Sequence, residues 1–112
     1  MIYVCADDYG ICKTASQHIS ECSVLNKVST FVNFDYPELD KLSSKEISLH
    51  LNFVEGKALS DIKKVDLLVD SNGNFKYTFA GLLKLSLLQK KKFAEQIYIE
   101  TKAQILSFKR IV

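Results

Sequence analysis

Ile2-Tyr3-Val4-Cys5-Ala6-Asp7-Asp8-Tyr9-Gly10 passes from an apolar, β-branched and aromatic run directly into two adjacent carboxylates and a glycine. The run at positions 2–6 is too short for a helix, so it reads as a strand buried on both faces, the kind found in parallel sheets. Asp7 and Asp8 then stand at its C-terminal edge. In parallel α/β folds ligands and catalytic groups collect there, because strand ends open onto loops while helices cover the faces. Side chains alternate along a regular strand, so the two carboxylates are expected to face opposite ways and to hold different roles.

Working outward, Thr14-Ala15-Ser16-Gln17 has the form of a capping box, and Ala15, Ile19 and Cys22 follow at helical spacing, which predicts a helix over about 15–25. Asn26 suits the left-handed residue that closes such a helix, and Val28 to Phe34 reads as a second strand. Strand, helix and strand make a βαβ unit. Pro37 is placed to begin a short helix reaching Leu42, after which residues 47–51, Ile-Ser-Leu-His-Leu, form a third strand that delivers His50. The stretch 52–64 has no clear period and reads as a long loop at the sheet edge that carries the acidic pair. Asp70-Ser71-Asn72-Gly73 lies between two apolar runs, and its Asn-Gly pair predicts a small hairpin near 65–77. Two helices close the chain. The first, near 79–88, is apolar nearly all round and is expected to be buried, and the second, near 91–108, carries Ala94, Tyr98, Thr101, Ile105 and Phe108 as its apolar stripe.

With 112 residues, 47% of them hydrophobic and 25% charged, the chain is a globular protein of at most one ordinary domain rather than a disordered segment. A net charge of +2 gives no ground for a nucleic-acid partner, and the lysines at 90–92 fit a solvated helix face. Cys5, Cys12 and Cys22 are odd in number and form no Cys-x-x-Cys pair, so neither a disulfide framework nor a thiolate zinc site is written, and a reduced, cytoplasmic setting is expected. No membrane partner is expected either, since no stretch approaches the ~20 apolar residues of a span. Repeats and linkers are absent, which makes 1–112 a single unit. Three parallel strands nevertheless leave an edge that natural proteins cover or pair, so the chain reads as part of a larger fold and as a candidate for self-association across that edge.

Asp7, Asp8 and His50 all fall at the C-terminal ends of predicted strands. Two oxygen donors and an imidazole suit a divalent metal: one carboxylate and the histidine hold the cation while the other carboxylate takes a proton from water. The plainer readings are that an Asp-Asp pair at a strand end starts a turn, that His50 is a satisfied core histidine, and that His18 is structural or solvated. Tyr9 either lines the site or packs.

The run Ala6-Asp7-Asp8-Tyr9-Gly10 resembles the Ala-Asp-Asp-Phe-Gly signature of the YdjC-like carbohydrate deacetylases, the group that includes chitooligosaccharide deacetylase and the hopanoid-biosynthesis deacetylase. Val28-Ser29-Thr30 followed by Asn33, Leu49-His50-Leu51-Asn52-Phe53 with Glu55-Gly56, and Leu68-Val69-Asp70 to Gly73 and Phe75 resemble that family's later segments in the same order. The resemblance implies the N-terminal part of a β/α (TIM-like) barrel, a fold that closes at ~250 residues. It implies metal-dependent deacetylation of an N-acetylated sugar or oligosaccharide, with magnesium or zinc as cofactor. Asp7 would be the general base activating metal-bound water, Asp8 and His50 metal ligands, and Tyr9 and Asn52 substrate-binding residues. The family's third ligand, a further histidine, lies beyond the position of Val112. Departures from the family pattern are Cys5 for an asparagine, Tyr9 for Phe, Ser48 for Gly, Ala58 for Pro and a shortened segment between Asn33 and Ile47.

Two readings from other classes stand beside this one. A non-catalytic fragment would act by association. A receiver-like signalling domain also ends its first strand in an acidic pair, but it needs a phospho-accepting aspartate where this chain has His50, and a later strand ending in lysine.

Overall fold

The apolar residues near the start of the chain and those around Val28 and Ile47 assemble into a three-stranded, all-parallel sheet in the order β1 (Cys5–Tyr9), β2 (Lys27–Thr30), β3 (Glu46–Leu49). The computed structural model describes residues 2–35 and 38–112. Parallel neighbours need a crossover, and helix α1 (Lys13–Glu21) supplies it between β1 and β2, which gives the expected βαβ unit. The chain divides into two compact units, Met1–Leu51 with Ser107–Val112 and Asn52–Leu106.

In the first unit β1 begins at Cys5 rather than Ile2, so the carboxylates lie inside the strand instead of beyond its end. The expectation of burial on both faces is also corrected: Ile2 is 83% exposed, and Tyr3 and Val4 are exposed too. The reason is position, since β1 pairs with β2 alone among the described residues. Asn26 does not close α1 in the left-handed region, where Asp8 is the one described non-glycine residue. Its amide holds the N-terminal segment instead, accepting from the Val4 N–H at 2.8 Å and donating to the Ile2 carbonyl at 3.1 Å. Helix α1 starts two residues earlier than the capping-box reading, because extended Cys12 is the cap and its Sγ accepts from the Ala15 N–H. β2 ends at Thr30 rather than Phe34; its partner β3 ends at Leu49, and single further bonds from the Phe31 and His50 N–H groups, to the Tyr9 and Thr30 carbonyls, close the ladder. Tyr9, Val28 and Leu42 form the core beneath the sheet, packed by Ile19, Leu39 and Ile47, and each large apolar side chain so buried contributes roughly 1.5–3 kcal/mol. Leu42 comes from a 3-10 helix, Leu39–Leu42; the expected start at Pro37 lies outside the described residues.

The second unit has a different construction. Val65, Leu68 and Val69 are all buried, and their spacing of three and four is that of a helical turn, so residues 65–68 follow the 3-10 helix Ile62–Lys64 as turns rather than forming the expected strand. The hairpin survives as a tight turn: Asp70 Oδ1 accepts from the N–H groups of Asn72 and Asn74, Gly73 takes φ 83°, and Val69 bridges Phe75 antiparallel. Helix α2 (Phe79–Leu88), capped by Thr78, buries Leu85 while Phe79 and Leu87 are each 77% exposed, so its outer face is apolar but not covered within the described residues, against the expectation of burial.

Helix α3 (Lys90–Ile111) has the expected period on a different face. Tyr98 and Ile105 are exposed, whereas Gln96, Glu100 and Gln104, one helical repeat apart, are buried. These three meet the irregular segment 52–67. Gln104 accepts from the Asn52 N–H at 3.0 Å and donates to its carbonyl at 2.6 Å; Glu100 accepts from the Leu59 and Ser60 N–H groups at 2.9 and 3.0 Å; Gln96 accepts from the Leu67 N–H at 2.9 Å. A loop without ladder partners still has backbone groups that must be satisfied when buried, and polar side chains on the helix do this.

Candidate functional site

The register of β1 against β2 decides where the two carboxylates go. Ala6 pairs with Val28 and Tyr9 with Thr30, so Asp7 and Asp8 together stand opposite Ser29, a β-bulge. Asp8 takes φ 62° to make it, a conformation that aspartate tolerates better than most side chains. A bulge breaks the alternation of the strand, and here it brings both carboxylates to one cluster. Asp7 Oδ1 accepts a 2.7 Å hydrogen bond from Ser29 Oγ, and Asp8 Oδ1 lies 3.2 Å from His50 Nδ1. Ser29 Oγ is itself 3.4 Å from the same ring nitrogen, so one serine and one histidine connect the pair. The expectation that the carboxylates face opposite ways is corrected by this bulge.

His50 follows β3 directly, and its N–H bonds the Thr30 carbonyl at 2.8 Å, which continues the ladder by one step and fixes the ring's origin. Phe31 stacks on the imidazole at 4.6 Å between centroids, and Phe34 packs on Phe31 at 5.2 Å. Protonated at Nδ1, His50 has the Asp8 carboxylate and Ser29 Oγ as acceptors; unprotonated there, it accepts from the Asp8 N–H at 3.3 Å. Both tautomers have partners. The His50 side chain is 32% exposed and that of Asp8 57%, so the cluster is open to solvent and to a ligand.

Asp8 Oδ1 and His50 Nδ1 are separated as two ligands of one divalent ion would be, since tetrahedral zinc bonds of ~2.0–2.2 Å place neighbouring donors ~3.4 Å apart. Among the described residues no group of three or more His, Cys, Asp or Glu side chains is arranged to hold a metal. Asp8 and His50 thus offer two donors side by side, one fewer than the usual catalytic zinc site.

Tyr9 is fully buried in the core of the first unit, and its hydroxyl donates to the Glu38 carbonyl at 2.9 Å. Burial, and then the Glu38 carboxylate, push its phenol above the ordinary value, so it remains a neutral donor. This arrangement gives Tyr9 a packing role in the first unit, the second of the two readings its sequence position allowed. Asn52, in the second unit, is also buried: its Oδ1 accepts from the Val54 and Glu55 N–H groups and its amide donates to the Glu55 carbonyl, so this side chain shapes its own loop. His18 is exposed in the last turn of α1. Ser29 and Phe31 were not singled out from sequence. The signal for Ser29 was a hydroxyl among apolar strand residues at the register opposite the acidic pair. All three cysteines are free thiols, and no described helix is long and apolar enough to cross a membrane.

The YdjC-like protein family matches residues 1–111. A carbohydrate deacetylase from Thermoanaerobacter pseudethanolicus (strain ATCC 33223 / 39E) is 32% identical over 113 aligned positions, which cover 93% of this chain and 43% of that protein. The chain thus spans less than half the length of this relative. No solved structure matches it. A family match over nearly the whole chain, with Asp7, Asp8 and His50 brought together in its fold, places the sequence: the chain belongs to the YdjC-like family.

Proposed function

We propose that this chain carries the first part of the active site of a carbohydrate deacetylase, which hydrolyses the N-acetyl group of a sugar or oligosaccharide. The observation that carries this reading is the convergence of Asp7, Asp8 and His50 through the β1 bulge in a member of the YdjC-like family. Asp8 and His50 are the residues that would hold a divalent ion, magnesium or zinc. Such an ion, when bound, polarises a carbonyl and makes water a stronger acid.

Asp7 would act as the base. Its Oδ1 is occupied by the Ser29 hydroxyl, and no described residue bonds Oδ2, which is free to accept a proton from the attacking water. Phe31 holds the His50 ring by stacking, which limits its rotation without using either nitrogen. Family membership supports the substrate class, while the barrel remains a proposal supported by a parallel sheet in sequential order.

The test is acetate release from N-acetylated oligosaccharides with added zinc or magnesium. Asp7→Asn and His50→Ala are each expected to lower the rate at least about 100-fold, the scale of a lost general base. Equal rates for wild type and both variants overturn the catalytic reading.

A second reading, association, is favoured by the sheet itself, in which β1 and β3 each have one strand neighbour among the described residues. Unpaired strand edges template a further strand, so a homo-oligomer through that edge is expected by light scattering. A strictly monomeric, monodisperse species rejects it.

A further inference from the structure

We propose that Ser29 is the positioning residue of this site, holding the Asp7 carboxylate toward the cluster through its hydroxyl; the proposal builds on the deacetylase reading above. Ser29 occupies the β2 position opposite the bulge, the single residue that faces both Asp7 and Asp8 in the register. It is buried, 9% exposed, while Asp7 is exposed. An exposed aspartate with no anchor samples several rotamers, and a base that must meet one water molecule cannot do so efficiently.

The hydroxyl has one proton and two lone pairs. At 2.7 Å the bond to Asp7 Oδ1 is a charge-assisted one, so the proton is committed to the carboxylate. Toward His50 Nδ1, at 3.4 Å, Ser29 can then only accept, and does so when that nitrogen carries a proton; with Nδ1 unprotonated the serine serves Asp7 alone. In either case Asp7 presents Oδ2 away from its anchor. The other polar contact of Asp7 Oδ1 is the Cys5 thiol at 4.0 Å, a weak donor at long range that cannot replace the serine. The Ser29 hydroxyl contacts the Asp7 carboxylate and the His50 ring. It acts through Asp7.

The experiment compares Ser29→Ala and Ser29→Thr in the full chain, with two independent readouts. By NMR, the Asp7 side-chain carboxyl carbon and its χ1 couplings report the anchor directly, and the backbone amide spectrum reports the fold. Ser29→Ala is expected to move the Asp7 carboxyl resonance and to average its χ1 while the remaining amides keep their positions; Ser29→Thr, which retains the donor, is expected to preserve both. In acetate release, Ser29→Ala is expected to lower kcat by roughly 10–100-fold, the range seen when a supporting hydrogen bond around a catalytic group is removed, with KM nearly unchanged and Ser29→Thr restoring kcat. An Asp7 resonance and χ1 unaffected by Ser29→Ala overturns the proposal whatever the activity. If wild type releases no more acetate than Asp7→Asn, the deacetylase reading fails, and the NMR comparison still decides the role of Ser29. Should Ser29→Ala not fold, Ser29→Cys, similar in size and a weak donor, replaces it in the same comparison.

Discussion

Asp7 and Asp8 on β1 and Glu100 on α3 bear the same functional group in opposite settings. Glu100 is 0% exposed, and its two oxygens are taken by the Leu59 and Ser60 N–H groups and the Gln104 amide. The β1 pair is exposed, one of its four oxygens anchored by Ser29 and another set against His50. Full satisfaction in a closed setting makes a carboxylate a structural joint. Partial satisfaction in an open one leaves acceptor capacity for a proton or a cation. What separates the two is the backbone around them, since α3 holds Glu100 against a loop rich in orphan N–H groups, while the bulge in β1 sets Asp8 against His50 and Asp7 against Ser29.

The sharpest way to break this contrast is to remove Glu100. Glu100→Ala leaves the Leu59 and Ser60 N–H groups without their acceptor and the Gln104 amide with only the Asn52 carbonyl; at about 1–3 kcal/mol for each unsatisfied group, a loss of about 2–4 kcal/mol is expected. That is a large share of the stability of a small protein. Urea unfolding measures it, and hydrogen exchange at the Leu59 and Ser60 amides should rise with it. Glu100→Gln, which keeps one acceptor oxygen, should cost about half as much. A Glu100→Ala protein as stable as wild type would mean that the ladder of Gln96, Glu100 and Gln104 is not what holds the loop.

For the open carboxylates the expected effect on folding is smaller and of opposite interest. Asp8 pays for the bulge with a positive φ, so Asp8→Gly should be more stable than Asp8→Ala by about 1 kcal/mol, because only glycine takes that conformation without strain. Both variants lose the oxygen that faces His50, and both should lose divalent-cation binding, read by titration with zinc. Equal stability of the two variants would show that Asp8 is not strained. Cation binding that survives in both would remove Asp8 from the ligand set.

These features differ in how far they could be read in advance. The βαβ unit and the meeting of Asp7, Asp8 and His50 were legible because the order of strands and helix and their approximate places are written in local apolar runs, although the strand ends are not. The bulge was not. It depends on the pairing of Asp7 and Asp8 with a single Ser29 on another strand, a relation that no local pattern contains. The α3 face failed for a related reason: Ala94, Tyr98 and Ile105 have the spacing of a buried stripe, but the segment opposite offers backbone polar groups, so the glutamines and Glu100 are buried instead. Val65, Leu68 and Val69 show the same limit in a short apolar run, where helical and extended readings differ by one residue of spacing.

A milder version of the Glu100 arrangement exists at the surface, and it yields the smallest effect. Asp66 accepts from the Gln96 amide at 2.7 Å and lies 3.6 Å from Lys92, and these, the amide bond first, hold its carboxyl below the ordinary value. A carboxyl whose folded value is depressed binds a proton less readily when native than when unfolded. Its contribution is therefore present above the unfolded pKa of ~3.9 and is lost as pH falls through the lower folded value. Asp66→Asn keeps an acceptor for Gln96 but carries no charge. The urea midpoint of the variant should lie slightly below wild type at pH 7, and the gap should begin to close as the pH falls below about 4 and be gone below the depressed folded value, where the native carboxyl is neutral as well. A gap of the same size at every pH would assign the effect to packing around Gln96 and not to the charge, and would set Asp66 with Glu100 as a joint rather than between the two kinds of carboxylate.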